Sequence, residues 1–332
     1  MTEIEEKRTI EEENRAVIDT PSEFSVTGGA PRTDTAKKRG KLPRAVVAVV
    51  VGCLVLNTLM MATIAVLVVV RRHEEKAATA AETSVDAHEG EVYIEDNALG
   101  GMWLPKSERL NESRLDNEKF TEKNGLLTYE GGALGIDVSE FQTVTDWSAV
   151  KDAGVEFVMV RVGRRGYELG KIVADTECRR NIEGALEAGL DVGVYFFSQA
   201  VTPNEAREEA RFVLDCIKEY KITYPVVFDW ESTERTEART FEMTNAQLNA
   251  VARAFVDVVR EGGYRPVLYF YKYLGYRQYV LDDFADCDFW LSEPGERPTF
   301  YYETAMWQYT TEGSVPGIDG TVDVNICFTP YG

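Results

Sequence analysis

The sequence predicts an α/β architecture: an irregular TIM-like (β/α) barrel, preceded by a transmembrane helix and a stalk. Three observations predict it. Short apolar strands alternate with helical stretches after residue 131, the pattern of a parallel sheet. A 26-residue run from Ala45 to Val70 carries no charge. Acidic side chains recur at the predicted strand ends, where barrels of this class place their sites.

Residues 1–44 are polar and nearly devoid of aromatics, as expected of a disordered tail. Residues 45–70 follow, relieved only by Gly52, Cys53, Asn57, Thr58 and Thr63. As a helix the run is roughly 39 Å long, enough to cross a bilayer with some tilt. A buried core helix is rarely so apolar on every face. A cleaved signal peptide is the closer rival, because Ala78-Thr79-Ala80 resembles a small-residue cleavage site. The run far exceeds the ~7–15 residues of a signal-peptide apolar region. Lys37, Lys38, Arg39, Lys41 and Arg44 precede the span, whereas Arg71 and Arg72 follow it with Glu74 and Glu75 close by. The positive-inside tendency therefore puts the N-terminus in the cytoplasm and residues 71–332 outside. This predicts a single-pass cell-membrane protein anchored through residues 45–70.

Residues 71–130 read as an acidic, Ala-rich stalk to about residue 98, followed by a lead-in segment. The lead-in regains apolar anchors at Met102, Trp103, Leu104, Leu110, Leu115, Phe120, Leu126, Leu127 and Tyr129. Residues 131–332 make the barrel domain. Its predicted strands are Leu134–Val138, Val155–Val162, Asp191–Phe197, Pro225–Glu231, Pro266–Tyr271, Phe289–Ser292, Ala305–Tyr309 and Val322–Phe328. Helices are predicted over Asp146–Ala153, Glu177–Ala188, from Thr202-Pro203 to about Tyr220, and from Thr244 to Gly262. Pro203 suits a first helical position, and Thr244 with Gln247 forms a capping box. The later helices are short or missing, which makes the barrel irregular.

Composition narrows the chemistry. The first 44 residues hold nine basic and nine acidic residues and the next 26 hold none, so the whole net charge of −20 falls on residues 71–332. Nucleic acid would be repelled. The only histidines, His73 and His88, precede the barrel, so Ser-His-Asp, Cys-His and His-based zinc chemistry are not available within it. Of five cysteines, Cys53 lies in the apolar run; Cys178, Cys216, Cys287 and Cys327 are too few and too scattered for a disulfide framework.

Carboxylates are what remain. In "YPVVFDWES" the period of a strand sends Asp229 and Glu231 to one face and Trp230 to the other. Asp137 in "GIDVS" takes the same place on the first predicted strand, and Asp323 and Asn325 in "TVDVN" take it on the last. First and last strands adjoin in a closed barrel, so four carboxylates converge on one mouth. Such a cluster serves a hard metal site or a glycosidase acid/base set; a pair that merely caps a loop is the bland alternative. No phosphate-cradling glycine loop accompanies the acids, which weighs against a metal. Glycoside hydrolysis needs one carboxyl protonated and another ionised, a division that crowding in a partly dry site produces. No cofactor or metal is expected.

The residues resemble glycoside hydrolase family 25, the lysozymes of the N-acetylmuramidase type. The resemblance spans about residues 133–330. It is carried by "GIDVSEFQ" (135–142), "WSAVKDAGVEFVMVRVG" (147–163), "NIEGALEAGLDVGVYFFSQA" (181–200), "YPVVFDWE" (224–231), "MWQYT" (306–310) and "GIDGTVDVN" (317–325). It implies cleavage of the β-1,4 bond from N-acetylmuramic acid to N-acetylglucosamine in peptidoglycan. It implies Glu231 as general acid, Asp229 orienting the substrate's acetamido group, and Asp137 and Asp323 completing the acidic mouth. Substrate assistance by the acetamido group and a carboxylate nucleophile are both open routes. Taken alone, Tyr195, Tyr269 and Trp307 read as barrel packing or as platforms for sugar rings; they match positions that line the family's groove. Arg161, at the end of the second strand, is expected either to bind a lactyl or peptide carboxylate or to pair with Asp137.

The sequence therefore reads as a membrane-anchored, outward-facing peptidoglycan hydrolase for cell-wall remodelling. Its expected partners are glycan strands, the lipid bilayer and an envelope or secretion machine, with no nucleic acid. Two alternatives belong to other classes: a silent glycan-binding or scaffold module, and a glycosidase for another acetamido-sugar polymer.

Overall fold

The computed structural model of the chain describes residues 67–72, 88–96 and 99–331. The chain divides into two compact units, Met1–Ala80 and Ala81–Gly332. Of the first, only residues 67–72 are described, and they are helical. The expected tail 1–44, most of the expected span 45–70 and residues 73–87 of the expected stalk lie outside the described residues. No helix among the described residues is long and apolar enough to cross a membrane.

The second unit is built on eight strands: β1 (Ala133–Val138), β2 (Phe157–Arg165), β3 (Asp191–Phe197), β4 (Val226–Asp229), β5 (Pro266–Tyr271), β6 (Asp288–Ser292), β7 (Met306–Gly313) and β8 (Val322–Cys327). Each pairs with the next, and β8 returns to β1, so the sheet closes. A short strand, Ile172–Ala174, adds antiparallel to the end of β2. β1 to β7 run parallel. β8 is antiparallel to both of its neighbours, because residues 314–321 are too few for the crossover that a parallel return requires. The strand alternation was legible; by itself it does not give this reversal.

Helices α1 (Trp147–Asp152), α2 (Cys178–Glu187), α3 (Pro203–Ile217) and α4 (Asn245–Glu261) each fill one of the first four connections, and a short α5 (Lys272–Arg277) follows β5. Their starts are chemically marked. Asp146 accepts from the Ser148 and Ala149 N–H groups, and Thr202 accepts from Glu205. Thr244 and Gln247 close the expected capping box. No helix lies in the β6–β7 or β7–β8 connection.

There the outer wall comes from the N-terminal side. A hairpin of Phe120–Lys123 and Leu126–Tyr129 lays Phe120 edge-on against Trp307 at 5.8 Å. Tyr129 meets Phe328 at 5.1 Å, and the Leu127 N–H donates to the Tyr309 hydroxyl at 3.1 Å. An earlier hairpin, Glu91–Asp96 with Gly100–Pro105, buries Ile94, Met102 and Leu104 in the same outer core. The extended stalk expected to about residue 98 thus gives way at residue 91 to ordered, packed sheet.

Two apolar layers result. The outer one lies between the sheet and its cladding and includes Ile136, Val158, Val160, Val194, Phe196, Phe228 and Trp230. The inner one is the barrel floor: Phe157, Met159, Tyr224, Val227, Val267, Trp290, Met306 and Cys327. Gly135 is required here, since a Cβ on it would collide with the Phe157 ring. Phe157 itself stacks on Tyr224 at 4.5 Å. The floor is plugged by packed side chains.

Candidate active site

Going up each strand from the floor, the next inward side chains are polar. Asp137 follows Gly135 on β1, Arg161 follows Met159 on β2, and Asp229 follows Val227 on β4; Ser292 follows Trp290 on β6, and Gln308 follows Met306 on β7. Tyr195 and Tyr269 flank the inner cluster from β3 and β5. Asp323 pairs in register with Asp137 across β8 and β1. It therefore reaches the mouth from the N-terminal end of its strand, whereas Asp137 and Asp229 reach it from C-terminal ends. The expectation that Asp323 and Asn325 sit at a strand end like Asp137's is corrected by the reversal of β8: Asp323 is at the rim and Asn325, registered with Gly135, lies one step deeper.

Asp137 is the best-held acid. Its Oδ2 accepts from Gln308 Nε2 at 3.0 Å and Asn325 Nδ2 at 2.8 Å, and Asp323 also hydrogen-bonds it. The amide orientations are fixed by their other ends. Gln308 Oε1 accepts from Tyr269 at 3.0 Å and Ser292 at 2.9 Å, and Asn325 Oδ1 accepts from Trp290 Nε1 at 2.9 Å. Both amides turn N–H groups toward Asp137, the polarity that suits a carboxylate and opposes a cation at that oxygen. Burial nevertheless pushes the Asp137 carboxyl upward, with the bonds from Asn325, Gln308 and Asp323 opposing.

Asp229 is buried too, and its Oδ1 has no hydrogen-bond partner. Burial first, then the charges of Glu231 and Asp137, hold its carboxyl well above the ordinary range, while Arg161 pulls the other way. Glu231 lies two residues on, half-buried where Asp229 is fully buried. Trp230 between them packs in the outer layer. Asp229 thus keeps its proton to higher pH than a solvated carboxylate does. Burial also raises the Tyr195 and Tyr269 phenols, and nearby acids add to it. They remain neutral donors.

Arg161 does not pair with Asp137. Its Nε donates to Asp175 Oδ2 at 2.8 Å and its Nη2 to Glu140 Oε1 at 3.0 Å, and its guanidinium lies 4.9 Å from the exposed Phe141 ring. Both carboxylates come from neighbouring loops that the strand pattern did not single out. Trp307 is not in the mouth at all. It is fully buried in the outer layer, donates to the Glu293 carbonyl at 2.8 Å and packs on Phe120. Alternation on β7 gives the inward place to Gln308, which sequence reasoning missed. The signal was present in "MWQYT", where one of two adjacent residues must face in, but which one depends on what covers the outside.

A second polar cluster braces the mouth from behind. Arg165 Nε donates to Glu209 Oε1 at 2.6 Å, and Ser198 Oγ donates to Glu209 Oε2 at 2.6 Å. The Ser198 N–H donates to the Asp229 carbonyl at 2.7 Å. Burial raises Glu209 to about 7 despite the Ser198 and Arg165 bonds. The thiols of Cys178, Cys287 and Cys327 are raised to about 12 by burial, so they are poor nucleophiles, and these three and Cys216 are unbridged.

The model of the glycosyl hydrolases family 25 matches residues 136–318. The autolytic lysozyme of Clostridium acetobutylicum is 27% identical over 192 residues, 58% of this chain and 54% of that protein. Lysozyme M1 of Streptomyces globisporus is 24% identical over 204 residues, 58% of this chain and 67% of that protein. The chain thus spans about half the length of the first of these relatives. The modular autolysin LytC from Streptococcus pneumoniae superposes with a TM-score of 0.53 at 23% identity, covering 71% of this chain and 56% of that one. A family 25 glycosyl hydrolase from Bacillus anthracis superposes with a TM-score of 0.50 at 17% identity, covering 64% and 94%. These two likenesses concern the fold alone. The family match, by contrast, takes in more than half of the chain and three of the four acids of the mouth: this chain belongs to the glycosyl hydrolases of family 25.

Proposed function

We propose that the chain is a peptidoglycan hydrolase that cleaves the β-1,4 bond between N-acetylmuramic acid and N-acetylglucosamine. One observation carries the reading. Asp229 presents a buried oxygen without a partner beside Glu231, in a mouth whose other acid, Asp137, is already bound by two amides. An acceptor left unpaired in a dry site costs roughly 1–3 kcal/mol unless a ligand satisfies it. An acetamido N–H is the group such a sugar supplies.

In this mechanism Glu231, the more accessible acid, gives its proton to the glycosidic oxygen as the bond to the anomeric carbon breaks. Asp229 accepts the acetamido N–H and turns the acetamido carbonyl oxygen onto that carbon, where it forms the new bond. Water then attacks the anomeric carbon, Glu231 takes a proton from it, and the acetamido group is released. Asp137 and Asp323 supply negative charge near the developing positive centre. Tyr195 and Tyr269 act as neutral walls, the latter holding Gln308 in place. Arg161, locked by Asp175 and Glu140, opposes the repulsion among the acids.

We also read residues 45–70 as a membrane anchor with the barrel outside the cell membrane. The apolar run and the basic residues before it support this. A tether keeps the local enzyme concentration high at the wall, which suits wall remodelling beside an envelope or secretion machine.

Zymography on purified cell wall tests the reading. Glu231→Gln should lose about 10²–10⁴-fold in clearing rate, the contribution of a positioned general acid. Digests by the wild type should carry new N-acetylmuramic acid reducing ends. Equal clearing by both proteins, no clearing by either, or new ends on N-acetylglucosamine instead would reject it.

A further inference from the structure

Residues 88–96 and 99–105 precede the family match of 136–318, yet they are fastened to the rim of the mouth. Asp96, buried on the first hairpin strand, pairs with Lys272. Lys272 directly follows β5 and also pairs at 2.8 Å with Glu293, which directly follows β6. The inner face of this hairpin, with Ile94, Met102 and Leu104, is spent on packing. The outer face is not. Tyr93 and Trp103 stand opposite each other in register, 49% and 45% exposed, with ring centroids 5.2 Å apart. His88 stacks on Trp103 at 3.8 Å. Gly101 has no side chain because a Cβ there would collide with the Tyr93 phenol, so that ring lies along the ribbon.

A cross-strand aromatic pair stabilises a ribbon by only about 0.2–1 kcal/mol, and this ribbon is already docked through its other face. We propose that Tyr93 and Trp103 form a stacking platform for sugar rings of the glycan strand as it leaves the mouth past β5 and β6. The proposal rests on the peptidoglycan reading for its occupant. Position supports it: Tyr93 is three residues from Asp96, about 10 Å along a strand, on the solvent face of the ribbon whose other face holds the rim. Charge supports it as well. Glu91, which binds His88, and Glu95 alternate with Tyr93 along its strand, on a chain with net charge −20, which repels an anionic lipid surface. A sugar ring offers polarised C–H groups to an aromatic face and hydroxyls to the flanking carboxylates.

The test is co-sedimentation of the full chain, in detergent, with purified glycan strands stripped of stem peptides. The parent is Glu231→Gln, so binding is read without turnover. Tyr93→Ala with Trp103→Ala should weaken retention about tenfold, two stacking contacts' worth. Tyr93→Phe with Trp103→Tyr keeps both rings and should retain most of the binding. Unchanged retention by the alanine pair overturns the proposal. So does equal loss by both pairs, which would make the ribbon's integrity the cause. Loss of binding to phosphatidylglycerol vesicles with glycan binding intact also overturns it and assigns the face to a membrane. Failure of the wild type to release N-acetylmuramic acid ends would sink the peptidoglycan reading separately, because the sedimentation result does not depend on cleavage.

Discussion

Around β1 to β5 the outer wall of the barrel is helical; around β6 to β8 it is aromatic and comes from residues that precede the first strand. The helical wall is made of neighbours in sequence. α4 follows β4, for example, and returns Phe255 onto Phe228 at 5.2 Å. The aromatic wall joins residues far apart, with Phe120 and Tyr129 on Trp307 and Phe328. The first kind of wall is specified by local periodicity and caps, the second by contacts that exist only when the whole unit has closed. The family match stops short of the second kind, since residues 99–130 lie before it. The matched segment and the folding unit are therefore different things.

The largest expected effect follows directly. A fragment starting at Gly131 loses the cover of Trp307, Tyr309 and Phe328. Each large apolar side chain returned to water forfeits about 1.5–3 kcal/mol, against a total stability of about 5–15 kcal/mol. Thermal melts of residues 131–332 should lack the cooperative transition of residues 81–332. An identical melting temperature for the two fragments would break the comparison.

Next in size is Trp307→Ala in the intact chain. Removing this fully buried indole should cost about 3–5 kcal/mol by the transfer and cavity terms together, measured from urea midpoints. Were Trp307 instead a groove residue, the same change would raise KM and leave stability alone. This substitution therefore separates the two assignments of that side chain cleanly.

The helical side is weaker in a different way, because α3 buries a charge. Glu209 is raised to about 7 by burial, above the ordinary glutamate value of 4.5. The folded state therefore holds its proton more tightly than the unfolded chain. The stability this confers is present below about pH 4.5 and is lost as pH rises through about 7, by at most about 3 kcal/mol. Glu209→Gln should flatten the stability profile between those limits. A slope unchanged by the substitution would show that Arg165 keeps Glu209 ionised throughout.

The same contrast explains what was legible. Eight strands, four helices and the Thr244–Gln247 capping box follow from period and local chemistry, and they stand as expected. Asp229 faces the mouth and Trp230 the outer layer, as local alternation predicts, but the strand expected to reach Glu231 ends at Asp229. Trp307 was expected in the groove and Gln308 was not singled out, because the inside of β7 is defined by what covers its outside, and that cover is Phe120. Of the two roles expected of Arg161, pairing with Asp137 gives way to Asp175 and Glu140 for a similar reason. Asp175 and Glu140 reach it from loops whose course no periodicity encodes. The direction of β8 was legible in principle from the shortness of residues 314–321, but alternation alone is silent on it.

The smallest effect tests whether the two walls are independent. Thr244→Ala removes the side-chain acceptor of the Gln247 N–H and the capping box with it, a loss of about 1 kcal/mol confined to the start of α4. Trp307 sits on the far wall, with Phe120, Tyr309 and Phe328 as its aromatic neighbours, none of which touches that cap. Distant sites without shared partners add to within about 0.3–0.5 kcal/mol. The double variant should therefore lose the sum of the two single losses in urea melts at constant m-value. A shortfall beyond that margin would mean that the barrel floor transmits strain between the walls, since Trp290 and Met306 on one side of it pack in the same inner cluster as Val227 and Val267 on the other. In that case the local and non-local walls would be one cooperative structure, and the aromatic cover would be as much a part of the mouth's rigidity as the strands that carry its acids.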